Sequence, residues 1–386
     1  MLAIRAARLF DGVHPKLIEQ PLILVEDGRI TAVESGGVTP PEGAEVVDLG
    51  DATLLPGLID VHVHLGFDAG PDPVARMNGD DDHTLLLRMA KHAQHALRAG
   101  VTTVRDLGDR NFLGVTLREW YRSGGEAGPE VLAAGPPVTV TGGHCYFMNG
   151  EVDGELGIRR GVRERVKRGV DVIKVMATGG HMTPGTNPLA AQFTVPELCA
   201  AVEEAHRLGK KLTAHAHATV GIELATEAGV DGIEHCSFQV ADGIHAEDVL
   251  IERIAAQRIA VAPTIGRPPW SPVPPAFAAR REERMRLLER MHRAGVKLVT
   301  GTDAGINGVP HDSAIWSVRT FAQAGLSNVE ALRTATSVAA DACGIGERKG
   351  TLAPGKEADI LAVGGDLLAN LNALDDMRAV FRAGTP

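Results

Sequence analysis

The 386-residue chain has little of what marks several large protein classes. It holds only 4 cysteines, Cys145, Cys199, Cys236 and Cys343. No two of them form a CxxC pair, so neither a disulfide framework nor a zinc ribbon is indicated, and reduced thiols are expected. There is no run of five or more Lys/Arg, and the formal net charge is −10. That leaves no electrostatic footprint for nucleic acid or an anionic membrane. No uninterrupted apolar run approaches the length of a membrane-spanning helix, and the opening MLAIRAARLFDG has no sustained apolar stretch with a small-residue cleavage site. The expectations are a cytoplasmic location and small-molecule or peptide partners, with no nucleic acid and no membrane. A homo-oligomer would be ordinary.

What the chain does have is a globular balance of 44% hydrophobic and 23% charged residues, enough to bury a large core. Its length suits one barrel of roughly 250 to 300 residues with a smaller attachment. Segments such as PLILVEDGRITAVES and GAEVVDLGDATLLPG read as short strands punctuated by turn residues, and nothing of helix length precedes residue 56. From Pro56 onward, apolar bursts alternate with helical stretches: LIDVHVHL, VTTVRDLG, VDVIKVMATGG, LTAHAHA, VDGIEHC, IAVAPTI and VKLVTGTDAG are the strand-like pieces. About eight strand-then-helix units predict a parallel sheet closed into a (β/α)8 TIM barrel. The tail, with GTLAPGKEADILAVGGDLL and MRAVFRAG, returns to extended signals. Residues 1–55 and 349–386 are therefore expected to form one small composite β-sandwich, with residues 56–348 as the barrel between them. The Pro-rich GRPPWSPVPPAF at 266–277 reads as a loop over the barrel mouth.

The chemistry-bearing residues cluster at the ends of these strands. His62 and His64 end LIDVHVHL, and side chains two apart on a strand share a face, so both imidazoles can reach one ion. Lys174 interrupts an otherwise apolar strand, where a lone ammonium is costly to bury unless it snorkels or pairs with Asp171. His215 and His217 lie in LTAHAHA, His235 in VDGIEHC and Asp303 in VKLVTGTDAG. Any one of these could be a core histidine or a helix cap. Together, at successive strand ends, they are the convergent N and O donors that a metal requires.

These segments, PGLIDVHVHL, IKVMATGG, TAHAHA, GIEH, TGTDAG and the ADILAVGGD tail, resemble the amidohydrolase superfamily along nearly the whole chain. The resemblance lies with the branch containing imidazolonepropionase-like proteins and zinc-dependent Xaa-Pro dipeptidases or carboxypeptidases. It implies two divalent ions, zinc first, with His62, His64 and Asp303 on one, His215 and His235 on the other, and a carboxylated Lys174 bridging them. A metal-bridging hydroxide would attack the carbonyl of an amide, dipeptide-like or carbamate substrate, with Asp303 as proton shuttle. His144 in VTGGHCYF is implied as a catalytic or substrate-facing residue, while His181, by its place just after the lysine strand, reads either as a further substrate contact or as an exposed loop residue. His217 reads as a hydrogen-bonding neighbour of the ligands and His92 and His95 as surface residues.

Departures from the branch bear on the substrate. Relatives of the peptidase type carry a tyrosine shortly after the sixth-strand histidine, where this chain reads His235, Cys236, Ser237, Phe238. A phenyl ring donates no hydrogen bond, so Phe238, with Trp270, Phe277 and Trp316, suggests a more apolar pocket. A mononuclear cyclic-amide hydrolase or deaminase is the alternative, weakened because neither an H-x-x-E nor an H-A-D-Q pattern occurs at His215. A non-catalytic metal-binding scaffold would have lost a ligand, and none of the six is missing.

Overall fold

In the computed structural model, residues 1–386 are described except Pro274, Pro386 and the side chains of Ala276 and Phe277. The anticipated contribution of Phe277 to the pocket lies outside the described residues. Eight parallel strands carry the middle of the chain: β1 (Leu58–Val63), β2 (Val101–Asp106), β3 (Glu130–Ala133), β4 (Val172–Met176), β5 (Lys211–Ala218), β6 (Gly232–Val240), β7 (Ala260–Ala262) and β8 (Lys297–Leu298). Their apolar, nearly continuous sequences suit strands covered on both faces, and β1, β2, β3 and β4 are buried throughout.

The regular ladders form two arcs rather than one ring, β1-β2-β3 and β4-β5-β6-β7-β8. At one seam an isolated bridge joins Val138 to Val175, and at the other Val63 meets Ala304. Backbone bonds cross both seams, with Val138 N donating to Lys174 O at 2.8 Å and Asp303 N to His62 O at 2.8 Å. Left-handed backbone at Gly135 and Asp303, φ 65° and 63°, interrupts the extended chain beside these seams. The single continuous sheet expected from the sequence is thus divided in two. Amphipathic helices pack outside, as Asp82–Arg98 does by burying Leu85, Met89, His92, Ala93 and Ala96 along one stripe.

The chain ends make two further sheets. One contains Leu2–Arg5, Leu22–Glu26, Arg29–Glu34 and Glu45–Asp48, and the other contains Arg8–Leu9, Ile18–Glu19, Ala52–Pro56, Ile360–Gly364 and Met377–Phe381. Ala52–Pro56 runs antiparallel to Ile360–Gly364, tying the two ends of the chain together. Ile4, Ile23 and Ile30 from the first sheet and Leu54, Ile360 and Phe381 from the second share an apolar cluster distinct from the main core.

Candidate metal centre

The C-terminal ends of the parallel strands open into a cavity of about 670 Å³ lined by His62, His64, His144, Lys174 and Asp303 among others. Strand ends are where such a fold leaves side chains free to converge. Two donor groups form there: His62, His64 and Asp303 from β1 and the turn after β8, and His215, His217 and His235 from β5 and β6. In the first group, His62 Nε2 and His64 Nε2 lie 3.4 Å apart, and each is 3.4 Å from Asp303 Oδ1. Three donors about 2.0–2.1 Å from a tetrahedral ion stand roughly 3.4 Å from one another, so this spacing fits zinc. The rings of His62 and His235, with centroids 5.2 Å apart, connect the two groups.

The outer nitrogens of these rings are committed elsewhere, which leaves the inner ones as donors. His62 Nδ1 donates to Glu234 Oε2 at 2.8 Å, and His64 Nδ1 to the Gly108 carbonyl at 3.2 Å. Glu234 also accepts from Arg105 at 2.9 Å and from Thr213 Oγ1 at 2.5 Å. This buried carboxylate therefore fixes the His62 tautomer. Sequence reading overlooks it, although a glutamate inside the apolar burst VDGIEHC is a visible signal.

Burial pushes the pKa values of His62, His215, His217 and His235 well below normal and that of His64 to about 4. Neutral imidazoles with available lone pairs are what a metal needs. Burial raises Asp303 to about 7 against the opposing pull of Lys174. Lys174 is itself lowered to about 8 by burial, although Glu234 and Asp303 oppose the shift. The pairing of Lys174 with Asp171 does not occur; Asp171 instead accepts from Arg118 Nη1 at 2.5 Å and the Ala133 amide at 2.9 Å. An amine lowered into this range has a substantial neutral fraction, the form able to take up carbon dioxide.

Other anticipated residues fall in mixed places. His144 is buried in the cavity wall, its Nδ1 2.9 Å from Thr183 Oγ1 and its ring 4.6 Å from that of His215. His181 is exposed at the rim, 3.2 Å from Gln239 Oε1. His217 lies within the second donor group rather than outside it, with Nδ1 2.9 Å from Ser237 Oγ. Phe238 does not face the cavity: it is fully buried in the main core, while Ser237 and Gln239 line the space. The reason is local: Ser237 and Gln239, two and four residues after His235, share its face, and Phe238 between them takes the opposite one, despite the positive φ of His235, Cys236 and Phe238, 67°, 44° and 49°. His92 is buried rather than on the surface, stacked 4.4 Å from His311 beneath the His64 segment; His95 is exposed. Trp316 lines the cavity, while Trp270 is exposed and meets it edge-on at 5.0 Å. The four cysteines are free, and no helix among the described residues is long and apolar enough to cross a membrane.

Comparison with known proteins agrees with this geometry. Residues 53–385 match the model of the amidohydrolase family. The chain is 28% identical over 372 residues to ochratoxinase of Aspergillus niger, covering 85% of this chain and 73% of that one. It is 26% identical over 383 residues to an imidazolonepropionase of Rhizorhabdus wittichii, covering 89% and 88%. The crystal structure of a Xaa-Pro dipeptidase with bound methionine in its active site superposes with a TM-score of 0.89 at 28% identity, covering 100% of this chain and 98% of that one. The resemblance read from the strand-end motifs holds, and the chain belongs to the amidohydrolase family, a hydrolase in the branch shared with imidazolonepropionases and Xaa-Pro dipeptidases.

Proposed function

We propose that this protein hydrolyses the C–N bond of a small amide, dipeptide-like or carbamate substrate at a binuclear centre. The two arcs together would constitute the family's (β/α)8 barrel, residues 56–348, with residues 1–55 and 349–386 as the composite β-sandwich. The observation that carries the reading is the pair of histidine-rich donor groups at one cavity floor, with Lys174 and Asp303 in the same wall. His62, His64 and Asp303 would hold one ion and His215 and His235 the other, with His217 close enough to join the second. Lys174, as its carbamate, would bridge them. Bound there, divalent cations such as Zn²⁺ lower the pKa of water to about 7 and polarise a carbonyl.

The chain supplies the proton traffic. Asp303 accepts the proton of the attacking water as its oxygen bonds to the carbonyl carbon. It then gives that proton to the leaving nitrogen as the C–N bond breaks, so acid and amine depart. His144, held by Thr183, offers its other ring nitrogen to a substrate oxygen, and His181 and Gln239 border the mouth. Phe238, enclosed in the core, takes no part in recognition.

Metal content of the untagged protein tests this reading. Two ions per chain, with at least one lost in Lys174→Ala and partly regained with short carboxylic acids, is the expected result. One ion in the wild type favours the mononuclear ring hydrolase, which the imidazolonepropionase similarity makes the second reading. No ion after reconstitution would leave a scaffold.

A further inference from the structure

His64 lies one residue beyond the end of its strand, since β1 stops at Val63. The carbonyls of His64 and Leu65 therefore fall outside the regular ladder, and buried carbonyls must find donors elsewhere. Two other histidines supply them. His311 Nε2 donates to the His64 carbonyl at 3.2 Å, beside the Phe67 amide at 3.1 Å, and His92 Nδ1 donates to the Leu65 carbonyl at 2.8 Å. Between these carbonyls, the Leu65 N–H donates to Asp106 Oδ2 at 3.1 Å. Side chains thus hold both poles of the His64–Leu65 peptide and the carbonyl that follows it.

These groups come from distant parts of the chain. Helix Asp82–Arg98 carries His92, β2 carries Asp106, and the segment between Asp303 and helix Ala314–Gln323 carries His311. Both imidazoles are buried and stack at 4.4 Å with 14° between their planes, so each limits the rotation of the other. A carbonyl only accepts, so each ring keeps a hydrogen on the nitrogen that faces its carbonyl. Asp106 also reaches the side chain of His64. Its Oδ1 accepts from the Gly108 amide at 3.1 Å, and the Gly108 carbonyl is the partner of His64 Nδ1. Gly108 packs so closely on this ring that a Cβ there would stand 3.2 Å from His64 Cε1. Backbone and ring of His64 are therefore tied to one framework, whereas the ring of His62 is held separately by Glu234. Rotation of the His64–Leu65 peptide would swing His64 Nε2 away from its 3.4 Å spacing to His62 and Asp303.

We propose that His92 and His311 are positioning residues for the metal centre: stacked on each other, they lock the backbone after His64 and so aim its Nε2 at the ion shared with His62 and Asp303. The inference rests on the binuclear reading above. Neither ring touches an ion or a substrate; each acts through His64, as outer partners of a metal-ligating histidine do. Loss of either donor frees the peptide, and the ion at this group is held less tightly.

The test loads the protein with zinc and titrates it with a competing chromophoric chelator, which reads how tightly each ion is held. His311→Leu and, separately, His92→Leu should weaken one of the two ions roughly 10- to 100-fold, the scale for losing an outer partner of a ligand. Side-chain amides separate positioning from packing. The amide nitrogen of Gln lies as many bonds from Cα as His Nε2, and that of Asn as many as His Nδ1. His311→Gln and His92→Asn should therefore restore most of the affinity, while His311→Asn and His92→Gln, similar in polarity but wrong in reach, should not. His95→Leu, exposed on the same helix as His92, should bind zinc like the wild type. Wild-type affinity for both ions in both leucine variants overturns the proposal, as does equal affinity in matched and mismatched amides. If the leucine variants do not fold, the amide variants decide it. If the wild type takes up no ion, the binuclear reading fails instead, and hydrogen exchange of the peptide spanning His64 to Phe67 decides the clamp separately. Faster exchange in His311→Asn than in His311→Gln supports it, and equal rates refute it.

Discussion

Two clusters of buried charge, one at the strand ends and one under the terminal sheets, treat the same side chains in opposite ways. Beneath the terminal sheets, Lys349 meets Glu130 and Glu357 at 3.1 Å each and Asp359 more closely still. Arg348 pairs with Glu130 at 2.8 Å and also with Glu357, and Arg382 reaches Asp359 at 3.1 Å. Three acids face three cations. Burial alone would raise Glu130, but Lys349 and Arg348 outweigh it and bring it to about 2. At the strand ends, Asp303 has only two histidines within ion-pair distance among the described residues, and burial raises it to about 7. Lys174 has no ion pair among the described residues. A buried carboxyl that is fully matched is structural, whereas one left under-matched can exchange a proton or receive a metal.

Removing one member of each cluster should separate these roles. Asp303→Asn should lower turnover by roughly 10³-fold or more, the scale of lost general acid–base catalysis, measured on protein with its metal content checked. Near-normal turnover would sink the shuttle role. The same variant, stripped of metal, should be more stable than the stripped wild type at pH 8. A carboxyl whose folded pKa is raised destabilises the folded state once pH passes the unfolded value, and the effect is complete above the folded value. The gap should close as pH falls towards 4. Lys349→Met should have the next largest effect, on stability: three acids lose their common cation, and breaking a buried pair costs about 3–5 kcal/mol. Urea denaturation measures the loss, and turnover per folded molecule should hold; a stable variant with impaired turnover would reverse the assignment of the two clusters.

The donor groups are largely legible in the sequence because strand periodicity and position along the chain carry them. His62 and His64 two apart, a lysine within an apolar strand and Asp303 after another each advertise a strand end. What escapes is whatever depends on contact between distant segments or on backbone conformation. Glu234 touches His62 across 172 residues of sequence, and no local pattern announces that bond. Phe238 is expected in the pocket only from the resemblance, by its place where peptidase relatives carry a tyrosine, whereas its three-residue spacing from His235 already sets it on the opposite face of the strand, where it joins the core. His92 is a different kind of miss: its spacing from Leu85, Met89 and Ala96 places it on the buried helix face, so the periodicity is there to be read.

The smallest effect is also the sharpest test of the matched cluster, because it depends on pH alone. Glu130 has a folded pKa of about 2 against an ordinary value of 4.5. The stability it contributes is fully present above pH 4.5 and is lost as pH falls through 2. Its ceiling is about 3 kcal/mol, since a tenfold change in proton affinity corresponds to about 1.4 kcal/mol. Glu130→Gln removes the titrating group while keeping the side chain's size, so the stability gap between wild type and variant should be widest near neutrality. It should shrink steadily from pH 4.5 downward. Equilibrium unfolding at a series of pH values reads that gap, and a gap that stays constant down to pH 2 would mean that Glu130 is not held as a carboxylate by its cations. The contrast with Asp303 would then lose its physical basis, because the two clusters would differ in geometry but not in how they hold a proton.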